Sequence, residues 1–143
     1  MIATGSTAHQ DFIKQLGADV TIDYTKTKFE DVARNVDVVL DSVGRDTLER
    51  SYGVVKKGGV IVSIADEPKQ GELDAHGIRG VALRCTPQGR VMEALAKLME
   101  AKKLTPVVSQ MFPLADVVKA QEQIATRHTR GKIVLQVKEE PKG

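Results

Sequence analysis

Tryptophan is absent from this 143-residue chain, and aromatic residues of any kind make up 3% of it. Stacking platforms for single-stranded nucleic acid are therefore nearly missing. Charge of one sign is lacking too: 21 lysines and arginines face 19 acids, a formal +2. That balance is too even to make nucleic acid the partner. A single cysteine, Cys85, excludes an internal disulfide framework and any zinc site built on a cysteine pair. The histidines, His9, His76 and His128, share no metal-ligand spacing. No apolar run approaches the ~18 residues of a membrane span. The opening MIATGSTAHQD has neither the basic nor the apolar region of a signal peptide. These absences set the expectation of no membrane partner and a reducing, cytoplasmic setting.

What is present is ordinary globular chemistry, 41% apolar and 28% charged, on a length that points to one core-bearing unit. Two hydrophobic periods alternate along it. Strand-like stretches fall at 2–4, 20–22, 36–40, 60–64, 81–83, 106–112 and 133–137; helical ones fall at 7–16, 29–34, 47–55, 86–99 and 115–125. The run Val38-Val39-Leu40 predicts a strand buried on both faces. Lys56-Lys57-Gly58-Gly59 predicts a turn closing the helix before it. The polar stretch 66–78, with Pro68 and Gly71, predicts a long loop. Thr86-Pro87 reads as a helix start, a hydroxyl N-cap followed by proline. The helix it opens lines up Val91, Met92, Leu95, Leu98 and Met99 on one face, and Gly17 stands where a helix C-cap prefers glycine. The tail 138–143 reads as frayed. Strands alternating with helices predict a parallel sheet with helices on its faces.

In an open parallel sheet, ligands bind beyond the carboxyl ends of the strands. Those segments are Thr4-Gly5-Ser6, Asp23-Tyr24, Asp41-Ser42-Val43-Gly44 and Ile64-Ala65-Asp66. Gly5 and Gly44 permit close backbone approach to a ligand. Small residues there serve plain turning equally well, and Ser6-Thr7 also fits simple helix N-capping. Cys85 follows Arg84 where a strand hands over to a helix, with no histidine beside it, and reads as a buried structural residue. Asp37 and Asp41 flank a strand without a partner carboxylate, which gives general acid–base catalysis no support. A dinucleotide fold cradles its pyrophosphate on a Gly-x-Gly-x-x-Gly turn after its first strand, and no such string occurs in the chain. The pairs Gly58-Gly59 and Gly77/Gly80 come after the strand-prone middle, in the wrong context.

The run LGADVTIDYTKTKFEDVARNVDVVLDSVG, then LERSYGVVKKGGVIVSIA, then PLADVVKAQEQIATRHTRGKIVLQV, resembles the medium-chain dehydrogenase/reductase superfamily. Within it the chain is most similar to the zinc-independent NADPH:quinone oxidoreductase-like branch, over essentially its whole length. The resemblance implies a GroES-like catalytic domain, then a Rossmann cofactor domain, then a C-terminal stretch that returns to the catalytic domain. On that layout the chain begins at the second Rossmann strand. The expected fold is a partial Rossmann-like parallel sheet with helices on both faces, lacking the first strand and its glycine-rich turn. Residues 1–103 then form the partial cofactor domain and 104–143 the returning stretch.

NAD enzymes place an acid at the end of the second strand for the ribose 2′-hydroxyl. Gly5-Ser6-Thr7 stands there instead, small and hydroxylic, leaving room for a 2′-phosphate that Ser6 and Thr7 could bond. The implied cofactor is NADP. By resemblance Tyr24 lies near the adenosine phosphate, Val43 and Gly44 beside the ribose, and Ile64 close to the nicotinamide. The apolar segment that follows reads Leu83-Arg84-Cys85, with a charge at its centre.

The expected function is the cofactor-binding portion of an NADPH-dependent reductase of quinones or enones. No catalytic residue is assigned, because the family's substrate pocket is shared with the catalytic domain, and the chain alone is expected to be inactive and to bind NADPH weakly or not at all. Two alternatives stand beside this. VDVVLDSVG followed by VVKKGGVIVSI also looks like the late strands of a methyl-donor-binding methyltransferase, which ends in an antiparallel strand pair. A non-catalytic remnant acting only through association is the other. Without a first strand, the second and fourth strands expose unpaired edges, and each buried unpaired group costs about 1–3 kcal/mol. Unless those two strands pair directly, a homo-oligomer is expected, a dimer built partly on 104–143 through Val107, Phe112, Val117 and Ile124, or a separate catalytic-domain chain.

Overall fold

Parallel pairing organises the chain, as a computed structural model of it shows for residues 1–126 and 128–138. The expectation for the tail beyond Lys138 lies outside the described residues. Two units, Met1–Thr86 and Pro87–Gly143, replace the single core-bearing unit that the length pointed to.

The first unit opens with β1 (Ile2–Gly5) beside β2 (Val20–Asp23), Ile2 opposite Val20 and Gly5 opposite Asp23. A 3-10 turn (Thr7–His9) and α1 (Gln10–Gln15) connect them. Gly17, at φ +98°, reverses the chain after α1 in a conformation that disfavours side chains. After the single helical turn α2 (Phe29–Val32) comes a three-stranded parallel sheet in the order β3-β4-β5. Its strands are Val36–Asp41, Val55–Ser63 and Arg79–Ala82.

Helix α3 (Arg45–Ser51) joins β3 to β4 and ends in a 3-10 turn, Tyr52–Val54. The expected Lys56–Gly59 turn is a bulge inside β4: Val36 faces Val55, and Val38 faces Val60. The stretch expected as a loop at 66–78 holds α4 (Gln70–His76). Only Leu73 is buried on α4, so its sequence shows little apolar periodicity. Its end is nonetheless well formed. Gly77 is left-handed, and the Ile78 N–H bonds back to the Leu73 carbonyl at 3.0 Å, the pattern of a glycine-terminated helix with an apolar clasp.

The core of this unit is one-sided. Leu48 and Tyr52 above β3 and β4, with Leu73 and Ile78, close over Ile61, which is 0% exposed. Residues opposite one another in register share a face, so Val39, Ile61 and Gly80 point to the helices, and Leu40, Val62 and Val81 point away. Val38 and Leu40 are 59% and 67% exposed. The expectation that Val38-Val39-Leu40 is buried on both faces therefore fails: helices cover one face of this sheet, and the apolar residues of the other meet solvent.

The second unit holds α5 (Gly89–Glu100), β6 (Val108–Pro113), a 3-10 turn (Leu114–Asp116), α6 (Val117–Ala125) and β7 (Lys132–Gln136). Helix α5 starts later than Thr86-Pro87 indicates: Gln88 is its N-cap, without a side-chain capping bond. Its predicted apolar stripe is present, but all five residues of the stripe are exposed. Strands β6 and β7 pair in parallel, Phe112 opposite Leu135. A methyltransferase would end in an antiparallel pair, so this topology removes that alternative.

Candidate functional site

Every sequence-predicted site residue sits at or just past the carboxyl end of a strand in the first unit. They fall into two groups, with no strand pairing between β1 and β3 among the described residues.

The first group stands at the ends of β1 and β2. Gly5 is buried, and a Cβ there would collide with the Ile13 side chain, so the close approach of α1 needs glycine. The Gly5 carbonyl accepts from Gln10 Nε2 at 2.8 Å and from the Tyr24 N–H at 3.2 Å. Ser6 makes no N-capping bond; its hydroxyl lies 3.3 Å from His9 Nδ1. Thr7 donates its hydroxyl to Asp23 Oδ2 at 2.5 Å. The carboxylate is gripped from the other side by the Thr25 hydroxyl at 2.6 Å and the Thr25 N–H at 3.0 Å. These bonds, Thr25 first and Thr7 second, hold Asp23 at a pKa of about 2. Tyr24 is exposed directly after it.

Parallel register puts Asp23 opposite Gly5, so an acid does stand beside Gly5-Ser6-Thr7, contributed by the neighbouring strand. Thr7's only donor is committed to it. Ser6 Oγ, partnered by His9 Nδ1 at 3.3 Å, keeps hydrogen-bonding capacity beyond that single bond, and Lys26 Nζ, 3.5 Å from Asp23 Oδ2, is the adjacent cation.

The second group joins the ends of β3 and β4. Gly44 is buried and left-handed at φ +77°, where side chains are strained. A Cβ on it would also press on Asp66 Cγ at 2.8 Å. Val43 and Ile64 are exposed on the two adjacent turns. Beneath them lies a pair that the sequence reading did not assign. Asp41 and Ser63, 3% and 1% exposed, meet through a 2.6 Å bond from the serine hydroxyl to Oδ2. The only sequence trace of this pair is a polar residue closing each of two apolar runs. A cleft of about 280 Å³ continues past Ile64 between the ends of β4 and β5, lined by Ala65, Asp66, Leu83, Arg84 and Cys85 among others. Cys85 is exposed there, not buried as expected, because β5 ends at Ala82 and the chain leaves the sheet before reaching it.

For a nicotinamide dinucleotide, Ser6 and Tyr24 present polar and aromatic surface at one end, while Val43, Ile64 and Leu83 present uncovered apolar surface at the other. The peptide N–H groups of Val43, Gly44, Ala65 and Asp66 are all bonded within the protein, so they shape the turns and do not receive a pyrophosphate. The residues thus fit the two nucleoside ends of the molecule and not its diphosphate. For a metal, no group of three or more His, Cys, Asp or Glu among the described residues is placed to hold an ion.

Parallel strands with helices between them, and a row of turns at their carboxyl ends, define a Rossmann-like nucleotide-binding unit. A sequence profile described as zinc-binding dehydrogenase matches residues 16–135. The chain belongs to that family, in the medium-chain dehydrogenase/reductase superfamily and on its NADPH-dependent, quinone oxidoreductase-like side. It is 37% identical over 135 residues to a 2-methylene-furan-3-one reductase of Solanum lycopersicum. It is 35% identical to a chloroplastic NADPH-dependent alkenal/one oxidoreductase of Arabidopsis thaliana. Both matches cover 93% of this chain and 32% of the relative. The structure of a quinone oxidoreductase from Coxiella burnetii superimposes with a TM-score of 0.83 at 31% identity, over 96% of this chain and 44% of that one. The chain therefore spans about a third of the length of the two curated relatives and less than half of the solved structure. No helix among the described residues is long and apolar enough to cross a membrane.

Proposed function

We propose that this chain is the cofactor-facing portion of an NADPH-dependent reductase of conjugated carbonyl compounds, quinones or enones. The observation that carries this reading is the placement of Gly5, Ser6, Tyr24, Val43, Gly44 and Ile64 at the carboxyl ends of two parallel strand pairs, β1-β2 and β3-β4. NADPH, when bound, supplies hydride. The chain's own residues do the placing: Ser6 and Tyr24 take the adenosine end, Val43 and Gly44 flank the ribose, and Ile64 with Leu83 excludes water from the ring. In this reading 1–103 forms the cofactor domain, and 104–143 is the stretch that packs on a GroES-like catalytic domain or, in a homo-oligomer, on a second copy of the chain. The preferred assembly is a dimer, and sedimentation at micromolar concentration tests it: a clean monomer would refute the association. The reading also places the chain in the cytoplasm, a reducing compartment that suits a lone exposed thiol.

Nucleotide titration of the isotopically labelled chain, read by amide NMR, is the direct test. Without a Gly-x-Gly-x-x-Gly turn to hold the diphosphate, binding of the chain alone is weak, in the millimolar range by comparison with ordinary cofactor affinities. NADPH moves the signals of Val43, Gly44 and Ile64 at lower concentration than NADH does. Micromolar affinity for the isolated chain would contradict the diphosphate argument, and a preference for NADH would contradict the assignment of Ser6.

A further inference from the structure

Asp41 and Ser63 end the two central strands, and Ser63 also borders the cleft past Ile64. Both are buried on the helix side of the sheet. Asp41 Oδ1 accepts the N–H groups of Val43 at 3.1 Å and Gly44 at 3.0 Å. Its Oδ2 accepts the hydroxyl of Ser63. Ser63 Oγ in turn accepts the N–H groups of Ala65 at 3.2 Å and Asp66 at 3.0 Å. One O–H···O bond thus ties four amides of two different turns into a single network. The Asp66 carboxylate closes the loop by accepting the Arg45 N–H at 2.5 Å.

A buried carboxylate needs its acceptors filled, and here two amides and a hydroxyl fill them. Removing the hydroxyl leaves both turns present and cuts the link between their amide-holding side chains, while the Arg45 N–H to Asp66 and Ile64 N–H to Asp41 carbonyl bonds remain. We propose that Asp41 and Ser63 are positioning residues that lock the Val43-Gly44 turn to the Ile64-Ala65-Asp66 turn. Val43 and Ile64 then stand at a fixed separation before any ligand arrives. The pair touches no ligand; it spares the ligand the cost of ordering two turns at once. This inference rests on the cofactor reading given above.

The experiment uses the full chain, labelled for amide NMR, as wild type and as Ser63→Ala, Ser63→Cys and Ser63→Thr. Cysteine keeps the volume but donates weakly, so it preserves the test where alanine fails to fold. In Ser63→Ala and Ser63→Cys, hydrogen exchange at Gly44 accelerates roughly ten-fold or more, although residue 63 does not touch that amide. Exchange at Ile22 stays unchanged. On titration with NADP⁺ the responses of Val43, Gly44 and Ile64 weaken together, while 2′,5′-ADP, which lacks the nicotinamide half, binds as to wild type. Ser63→Thr restores both readouts. Variants that leave Gly44 exchange and the NADP⁺ response unchanged overturn the positioning role and leave the cofactor reading standing. A wild-type chain whose Val43, Gly44 and Ile64 signals ignore the nucleotide overturns the cofactor reading, and the positioning role with it.

Discussion

The one-sided core makes a sharp energetic claim about two residues on adjacent strands. Ile61 is 0% exposed, enclosed by Leu48, Tyr52 and Leu73; Leu40 is 67% exposed on the opposite face of the same sheet. Cutting a fully enclosed isoleucine to alanine removes its transfer energy and leaves a cavity, about 2–5 kcal/mol in all. Full burial of a leucine is worth about 1.5–3 kcal/mol. With a third of its surface covered, Leu40→Ala costs about 0.5–1 kcal/mol on the same scale. The contrast between the two losses is the prediction. Urea unfolding followed by tyrosine fluorescence is the assay. Both tyrosines, Tyr24 and Tyr52, lie in the Met1–Thr86 unit, and no tryptophan obscures them. Equal losses for the two variants would refute a bare sheet face and mean that something covers Leu40 in solution. A midpoint that rises with protein concentration would then identify the cover as a second copy.

The pH dependence of the first group follows from Asp23. Its pKa of about 2 lies below the ordinary 3.8, so its bonds to Thr25 and Thr7 contribute stability fully above about pH 3.8 and lose it as pH falls through 2. Carboxyl NMR of Asp23 should show that midpoint, and Thr25→Val should raise it more than Thr7→Val; a wild-type midpoint at the ordinary value would contradict the clamp. Cys85, exposed beyond β5, should react with one equivalent of an aromatic disulfide in the native protein, and protection until denaturant is added would show it buried after all.

Strand and helix positions were legible in the sequence wherever apolar period and glycine agreed. The segments at 20–22, 36–40 and 115–125 needed nothing beyond local pattern, and Gly17 marked a true helix end. Helix α4 was not legible by the same means, since a seven-residue helix with one buried side chain carries almost no periodicity. Its signal lay in its close: Gly77 followed by Ile78, three and four residues past Asp74. Burial was misread at Val38 and Leu40 for a different reason. A run of Val and Leu states that both faces of a strand are apolar, but what covers each face is decided by other segments. The same limit applies to α5, whose stripe was legible and whose cover was not.

Period-two alternation also explains why the central turns are held by polar bonds. Along β3 the inward positions are Val39 and Asp41; along β4 they are Ile61 and Ser63. The inward face thus changes from apolar to polar at the last residue of both strands, and the register sets Asp41 opposite Ser63. An apolar pair there would bury surface but leave the amides of Val43, Gly44, Ala65 and Asp66 without their acceptors, at about 1–3 kcal/mol for each one kept from water. The helix-side core beneath Ile61 fixes where the strands run, and the polar pair at its rim fixes where the chain goes after leaving them. A carboxylate and a hydroxyl can do this at the rim because the turns themselves supply the donors. The four amides would otherwise compete for a ligand's oxygens. Once committed inward, they leave the ligand-facing surface to Val43 and Ile64, whose apolar side chains suit a nicotinamide ring and ribose better than a phosphate.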